Sequence, residues 1–154
     1  MATIRVQQAD FDIGAEVAAL TAGRTDIGGI GCFVGTVRAS TAGRPIAAMT
    51  LEHYPGMTER AMARIADEAA RRWSLLGCTL IHRVGRLEPG ENIVLVVAVA
   101  AHRQAALDAT AFFIDWLKTR APFWKKEIFA DGGEAWVAAR ESDEDAAARW
   151  GGGA

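Results

Sequence analysis

The sequence predicts an α+β domain built on a mixed, mostly antiparallel sheet. Three observations carry this. Strand-patterned and helix-patterned segments alternate along the chain. Several strand segments are joined by turns too short for the crossover that a parallel pair needs. No internal repeat or linker divides the 154 residues, a length that supports one domain with a real core.

The elements follow in order. Ile4 to Gln7 alternates weakly and reads as a first strand. Asp12 to Ala22 reads as a short helix with Asp12 as its N-cap. Gly28 to Arg38, rich in glycine and β-branched residues, suits a strand with a bulge or a close backbone contact. Ala42-Gly43-Arg44-Pro45 marks a turn, and Ile46 to Tyr54 is the returning strand of a predicted long-looped hairpin. Pro55-Gly56-Met57-Thr58 opens a second helix, with Thr58 as its cap and Ala61, Ile65, Ala69 and Trp73 at helical spacing. Thr79 to Val84 and Asn92 to Ala101 are strands separated by the turn signal Leu87-Glu88-Pro89-Gly90-Glu91. A third helix runs from about Arg103 to Arg120, and Pro122 stops it at about Ala121. A short strand at Glu134 to Ala138 and an acidic run from Glu141 to Asp145 follow. The domain spans residues 1–150, and the tail 151–154 reads as disordered.

Bulk properties exclude some functions. Apolar residues make up 51% and charged residues 23%, as in soluble globular proteins. A net charge of −2 argues against a general nucleic-acid binder, so any basic site is local. The longest apolar run, Ile93 to Ala101, suits a buried strand and is too short to span a bilayer. The N-terminus has no signal-peptide core, which predicts a cytoplasmic protein. Cys32 and Cys78 lie in apolar surroundings and read as buried free thiols. No CxxC or His/Cys cluster suggests a metal, and no cofactor is predicted.

Gly28-Gly29-Ile30-Gly31-Cys32-Phe33-Val34-Gly35 resembles a nucleotide loop only superficially. No Gly-Lys-Ser/Thr follows, and Val34 stands where a dinucleotide loop needs its third glycine. The Thr36 hydroxyl and the Arg38 guanidinium share one face at the end of that strand. His53 reads as structural, and His82 as a half-exposed sheet residue. Ala101-His102-Arg103 opens the third helix with no Ser, Thr, Asp or Asn to cap it, which leaves its N–H groups to water or to an anion.

The densest signal is Leu117-Lys118-Thr119-Arg120-Ala121-Pro122-Phe123-Trp124-Lys125-Lys126-Glu127. Lys118 falls in the last helical turn, and Lys125 and Lys126 fall beyond the proline break. Such lysines either complement the helix dipole or aim ammonium groups at one anion. One ammonium about 4 Å from a phosphate oxygen contributes roughly 4 kcal/mol at an effective dielectric near 20. Arg103 and Lys118 lie about 22 Å apart on one helix, so they serve different sites or meet across a two-fold dimer. No Ser/His/Asp set, reactive cysteine or carboxylate pair is evident, so the nucleophile comes from a partner or substrate. A local RNA-binding patch on Arg120, Phe123, Trp124, Lys125 and Lys126 is an alternative.

This segment, Leu51-Glu52-His53-Tyr54-Pro55-Gly56-Met57-Thr58, Ile81-His82-Arg83-Val84-Gly85, Ala101-His102-Arg103 and Val137-Ala138-Ala139-Arg140-Glu141-Ser142-Asp143 closely resemble the large, catalytic subunits of molybdopterin synthase. The likeness runs from about Ile4 to Trp150 with the blocks in order. It implies an α/β hammerhead fold and a homodimer at the centre of a heterotetramer. It also implies a sulfurtransferase of molybdenum cofactor biosynthesis. Sulfur would pass from the thiocarboxylated Gly-Gly C-terminus of a small ubiquitin-like subunit to cyclic pyranopterin monophosphate, giving molybdopterin in two rounds. By the same resemblance, Lys118 and Lys125 are the catalytic lysines. Lys118 is expected near the thiocarboxylate carbonyl and Lys125 near the pterin and its phosphate. Phe33, Thr36, Val37, Arg38, His102, Arg103, Lys126, Glu127 and Arg140 match substrate-binding positions, with His102, Arg103 and Arg140 expected from the neighbouring subunit. Thr36 departs from relatives that carry lysine there. A scaffold that binds the small subunit without turnover is a further alternative, against which both lysines stand.

Overall fold

In the computed structural model, which describes residues 1–137 and 141–151, the chain first runs through β1 (Ala2–Gln7), α1 (Ile13–Thr21), β2 (Gly29–Thr36), β3 (Ser40–Thr41), β4 (Arg44–His53) and α2 (Met57–Trp73). It continues through β5 (Gly77–Arg83), β6 (Gly85–Leu87), β7 (Asn92–Ala100), α3 (Arg103–Thr119), β8 (Phe123–Phe129), β9 (Glu134–Trp136) and α4 (Glu141–Ala148). Ala138, at the end of the last predicted strand, and residues 152–154 of the tail lie outside the described residues.

One sheet has the order β1-β5-β7-β2; the other has β3-β4-β8-β9, with β6 paired to β4. Only β1 and β5 pair in parallel; every other described pair is antiparallel. The long apolar run becomes β7 because it is covered on both faces. Leu95, Val97 and Val99 pack with Phe11, Leu20 and Ile81 on the α1 side. Val96 and Ala98 pack under α2 and α3 with Met62, Ile65, Phe112 and Phe113. A strand buried on both sides needs no polar alternation.

The predicted hairpin between the second strand and Ile46 to Tyr54 does not form. β2 pairs with β7 from Gly29↔Ala100 to Thr36↔Asn92, and β4 pairs with β8 in the other sheet. The glycines explain the choice. A Cβ at Gly31 would lie 2.3 Å from Thr110 Oγ1 and 2.6 Å from the Ala106 carbonyl oxygen, both on α3. β2 is therefore the strand that α3 can approach closely.

Asp12 caps α1, accepting from the Ala15 N–H at 2.9 Å. At α2 the cap is Gly56, at φ 82°. Glu59 accepts from the Gly56 N–H, and Thr58 instead bonds both backbone groups of Tyr54. Cys78 is buried, but Cys32 is exposed. β2 is an edge strand, and α1 packs chiefly on β5 and β7. Burial pushes the Cys78 thiol up to about 11. Among the described residues, no helix is long and apolar enough to cross a membrane.

Candidate active site

The site forms where α3 ends and the chain turns back. The Arg120 N–H closes the helix on the Trp116 carbonyl at 2.8 Å. Pro122 has no N–H to continue it, and the Thr58 hydroxyl lies 3.3 Å from the Pro122 carbonyl oxygen. The chain then enters β8 alongside β4, with Lys125 opposite Leu51 and Glu127 opposite Met49. Alternation along a strand sends Phe123, Lys125 and Glu127 to one face and Trp124 and Lys126 to the other.

From the facing sheet, β2 supplies Phe33 and Thr36. The register shifts between Gly35 and Thr36, and a bulge of this kind re-aims a side chain. Phe33, Gly35 and Thr36 consequently line the same cavity, joined by Arg38 just beyond the strand. Lys118, Lys125 and Glu127 complete its polar wall, and the cavity encloses about 580 Å³. A recess of about 80 Å³, which shares Phe33, Lys118 and Lys125, is also lined by His82.

The electrostatics follow from this enclosure. Lys125 is half-buried. Loss of water, then the neighbouring Lys118 charge, lowers its pKa to about 8, against the pull of Asp143. His82 is buried and stacks on Phe123 at a centroid distance of 3.8 Å. Desolvation holds its pKa down to about 3, so the ring is neutral. Its Nδ1 lies 2.9 Å from the Arg83 carbonyl oxygen. A carbonyl can only accept, so Nδ1 carries the proton and Nε2 is an acceptor. Glu127 is buried and accepts a hydrogen bond from the Thr41 hydroxyl.

Of the sequence-predicted site residues, Phe33, Thr36, Arg38, Lys118, Lys125 and Glu127 share the cavity wall. Val37 does not face it: its side chain is buried with Leu51, Leu87 and Ile93, because the residue next to Thr36 points into the core. Lys126 does not join Lys125. It lies on the opposite face of β8, 5.3 Å from the Trp136 ring and 3.9 Å from Glu134. The same alternation divides the RNA-binding patch between two faces. His102 caps α3 without a side-chain bond, and Arg103 begins that helix, about 22 Å from Lys118. Arg140 lies outside the described residues.

Of the titratable residues lining the cavity and its recess, His82 and Asp143 are the ones that sequence reasoning missed. For His82 a signal existed: it shares the strand parity of buried Cys78 and Leu80, which contradicts a half-exposed position. Asp143 gave none, because only the packing of α4 brings it to the cavity. Among the described residues, no group of His, Cys, Asp and Glu is placed to hold a metal ion.

The MoaE protein family matches residues 6–120. The molybdopterin synthase catalytic subunit of Pseudomonas aeruginosa is 58% identical over 147 residues, covering 96% of this chain and 97% of its own length. That of Mesorhizobium japonicum is 56% identical over 149 residues, covering 96% and 92%. The solved molybdopterin biosynthesis MoaE protein of Burkholderia ambifaria superposes with a TM-score of 0.83 at 56% identity, covering 98% of this chain and 99% of that one. The matched region carries the β2 wall and Lys118, and the fold extends the likeness to β8: the chain belongs to the MoaE family, the catalytic subunits of molybdopterin synthase.

Proposed function

We infer that this chain is the catalytic subunit of a molybdopterin synthase and transfers sulfur to cyclic pyranopterin monophosphate. The donor is the thiocarboxylated Gly-Gly C-terminus of a small ubiquitin-like subunit. The observation that carries this reading is the convergence of Lys118 from α3 and Lys125 from β8 on one cavity, in a chain of this family.

The chemistry suits the wall. A thiocarboxylate is anionic, as is the pterin phosphate, and ammonium groups in a partly enclosed site stabilise both. Lys118, exposed at the helix end, meets the incoming tail. Lys125, half-buried beside it, binds the pterin. A lysine near pKa 8 is mostly charged at neutral pH and can still exchange a proton during transfer. In each round the sulfur leaves the acyl carbon for a side-chain carbon of the pterin. There the new C–S bond replaces a C–O bond whose oxygen stays on the opened phosphate or leaves as water. A water oxygen takes the sulfur's place on the acyl carbon. Two rounds give the dithiolene.

The cavity wall carries Arg38, Lys118 and Lys125 against Glu127 and Asp143, a slight excess of cations for two anionic ligands. Additional cations from a second protomer, with His102, Arg103 and Arg140 the candidates, fit a homodimer within a heterotetramer. The free thiols of Cys32 and Cys78 suit a reducing cytoplasm.

The test mixes the chain with the thiocarboxylated small subunit and the cyclic pterin and follows dithiolene formation. Wild type is expected to form it, and Lys118→Ala to lose about 100-fold or more in rate, the scale of removing one preorganised charge-stabilising group. Undiminished product with Lys118→Ala overturns the assignment.

A further inference from the structure

We propose that Asp143 is a positioning residue for the lysine pair, its carboxylate the counter-charge that α4 delivers into the cavity shared by Lys118 and Lys125. The proposal rests on the reading that Lys125 binds substrate. Two independent features support it.

The first is the wall of the cavity. Asp143 lines it together with Lys118 and Lys125. Most elements around Lys125 contribute a charged or titratable group; β7 contributes only Ile93, Val94 and Val96. The charged or titratable groups are Lys118 from α3, His82 from β5, His53 from β4 behind His82, Arg38 beyond β2, Glu127 on β8 itself and Asp143 from α4. His82 stays neutral, and Glu127 is engaged by Thr41. Asp143 favours the charged form of Lys125, against burial and Lys118.

The second is how α4 is held. Just beyond its C-terminal end, Trp150 packs edge-on against Trp73 at 5.4 Å and Phe112 at 5.6 Å. Its indole N–H donates to Asp115 at 2.7 Å, and Arg72 donates to its carbonyl at 3.0 Å. One end of the segment is thus fixed on α2 and α3 while the other reaches the cavity. A carboxylate in a first helical turn can also serve only the helix dipole. In that case it would leave Lys125 unaffected.

Two readouts decide. The first is the titration midpoint of Lys125 in the full chain, followed by the NMR shift of its labelled ε-carbon and assigned with Lys125→Arg. The second is the pH profile of sulfur transfer in the reconstituted complex. Asp143→Asn is expected to lower the Lys125 midpoint by about half a unit to one unit and to move the alkaline limb of transfer down equally. Asp143→Glu restores both. A Lys125 midpoint unmoved in folded Asp143→Asn overturns the proposal. A wild-type complex that transfers no sulfur would defeat the functional reading alone, because the NMR arm needs no turnover.

Discussion

Lys125 sits where its charge costs stability and its chemistry needs it. Its pKa is about 8 in the folded chain and near the ordinary lysine value when unfolded. Between those values the unfolded chain holds more protons, so stability rises with pH across that window. Below about pH 8 both forms are charged, and the full cost of burying the ammonium is present. Lys125→Met is therefore expected to stabilise the fold below pH 8, by about 1–2 kcal/mol once the shift is discounted for half-burial. The gain should fade toward pH 10.5, and urea melts at pH 7 and pH 10 measure it. The same variant should lose sulfur transfer, which separates stability from function. At this scale the sequence was readable where a local rule applied. Pro122 between two cation pairs marked the site, and the uncapped His102 was visible from its neighbours. The divergence of Lys126 from Lys125 was not legible, because nothing in the sequence marked Phe123 to Phe129 as a strand, in which adjacent lysines point to opposite faces.

The helix that carries Lys118 is held against β2 by what that strand lacks. α3 crosses β2 at Gly29 and Gly31, where a Cβ would fall 2.9 Å from the Arg103 Cα and 2.3 Å from Thr110 Oγ1. The Thr110 hydroxyl is already committed to the Ala106 carbonyl at 2.7 Å, and that carbonyl is itself 2.6 Å from a Cβ at Gly31. Gly31→Ala must therefore move backbone, and overpacking of this kind costs about 1–3 kcal/mol. A lower urea midpoint with an unchanged slope would report it. Because the displaced helix also aims Lys118, transfer should weaken even at temperatures where the variant is fully folded. Periodicity and turn chemistry made α1, α2, α3, β2, β4, β5 and β7 legible to within a few residues, whereas β3, β6, β8 and α4 carried no such signal. The pairing of β2 with β7 was not, since sequence proximity favoured β4 and the deciding contact is with a helix more than seventy residues on.

The whole molecule leaves its two cationic ends apart. Lys118 and Arg103 terminate one helix, and no bend of a 17-residue α3 brings them to one small ligand, since they stand about 22 Å apart. A two-fold dimer resolves this by pairing the start of one α3 with the end of the other. In the dimer we propose, each active site takes Lys118 from one protomer and Arg103 from its partner. Lys118→Ala and Arg103→Ala should each be impaired as homodimers, because both sites are damaged. Mixing the two after unfolding and refolding gives hybrids in half of the dimers. In a hybrid one site carries both substitutions and the other carries neither. About a quarter of all sites are then intact, and transfer should recover to about that fraction of wild type. Mixing the folded homodimers without exchange should recover nothing. Activity in the refolded mixture no higher than the mean of the two parents would place Lys118 and Arg103 in the service of separate sites.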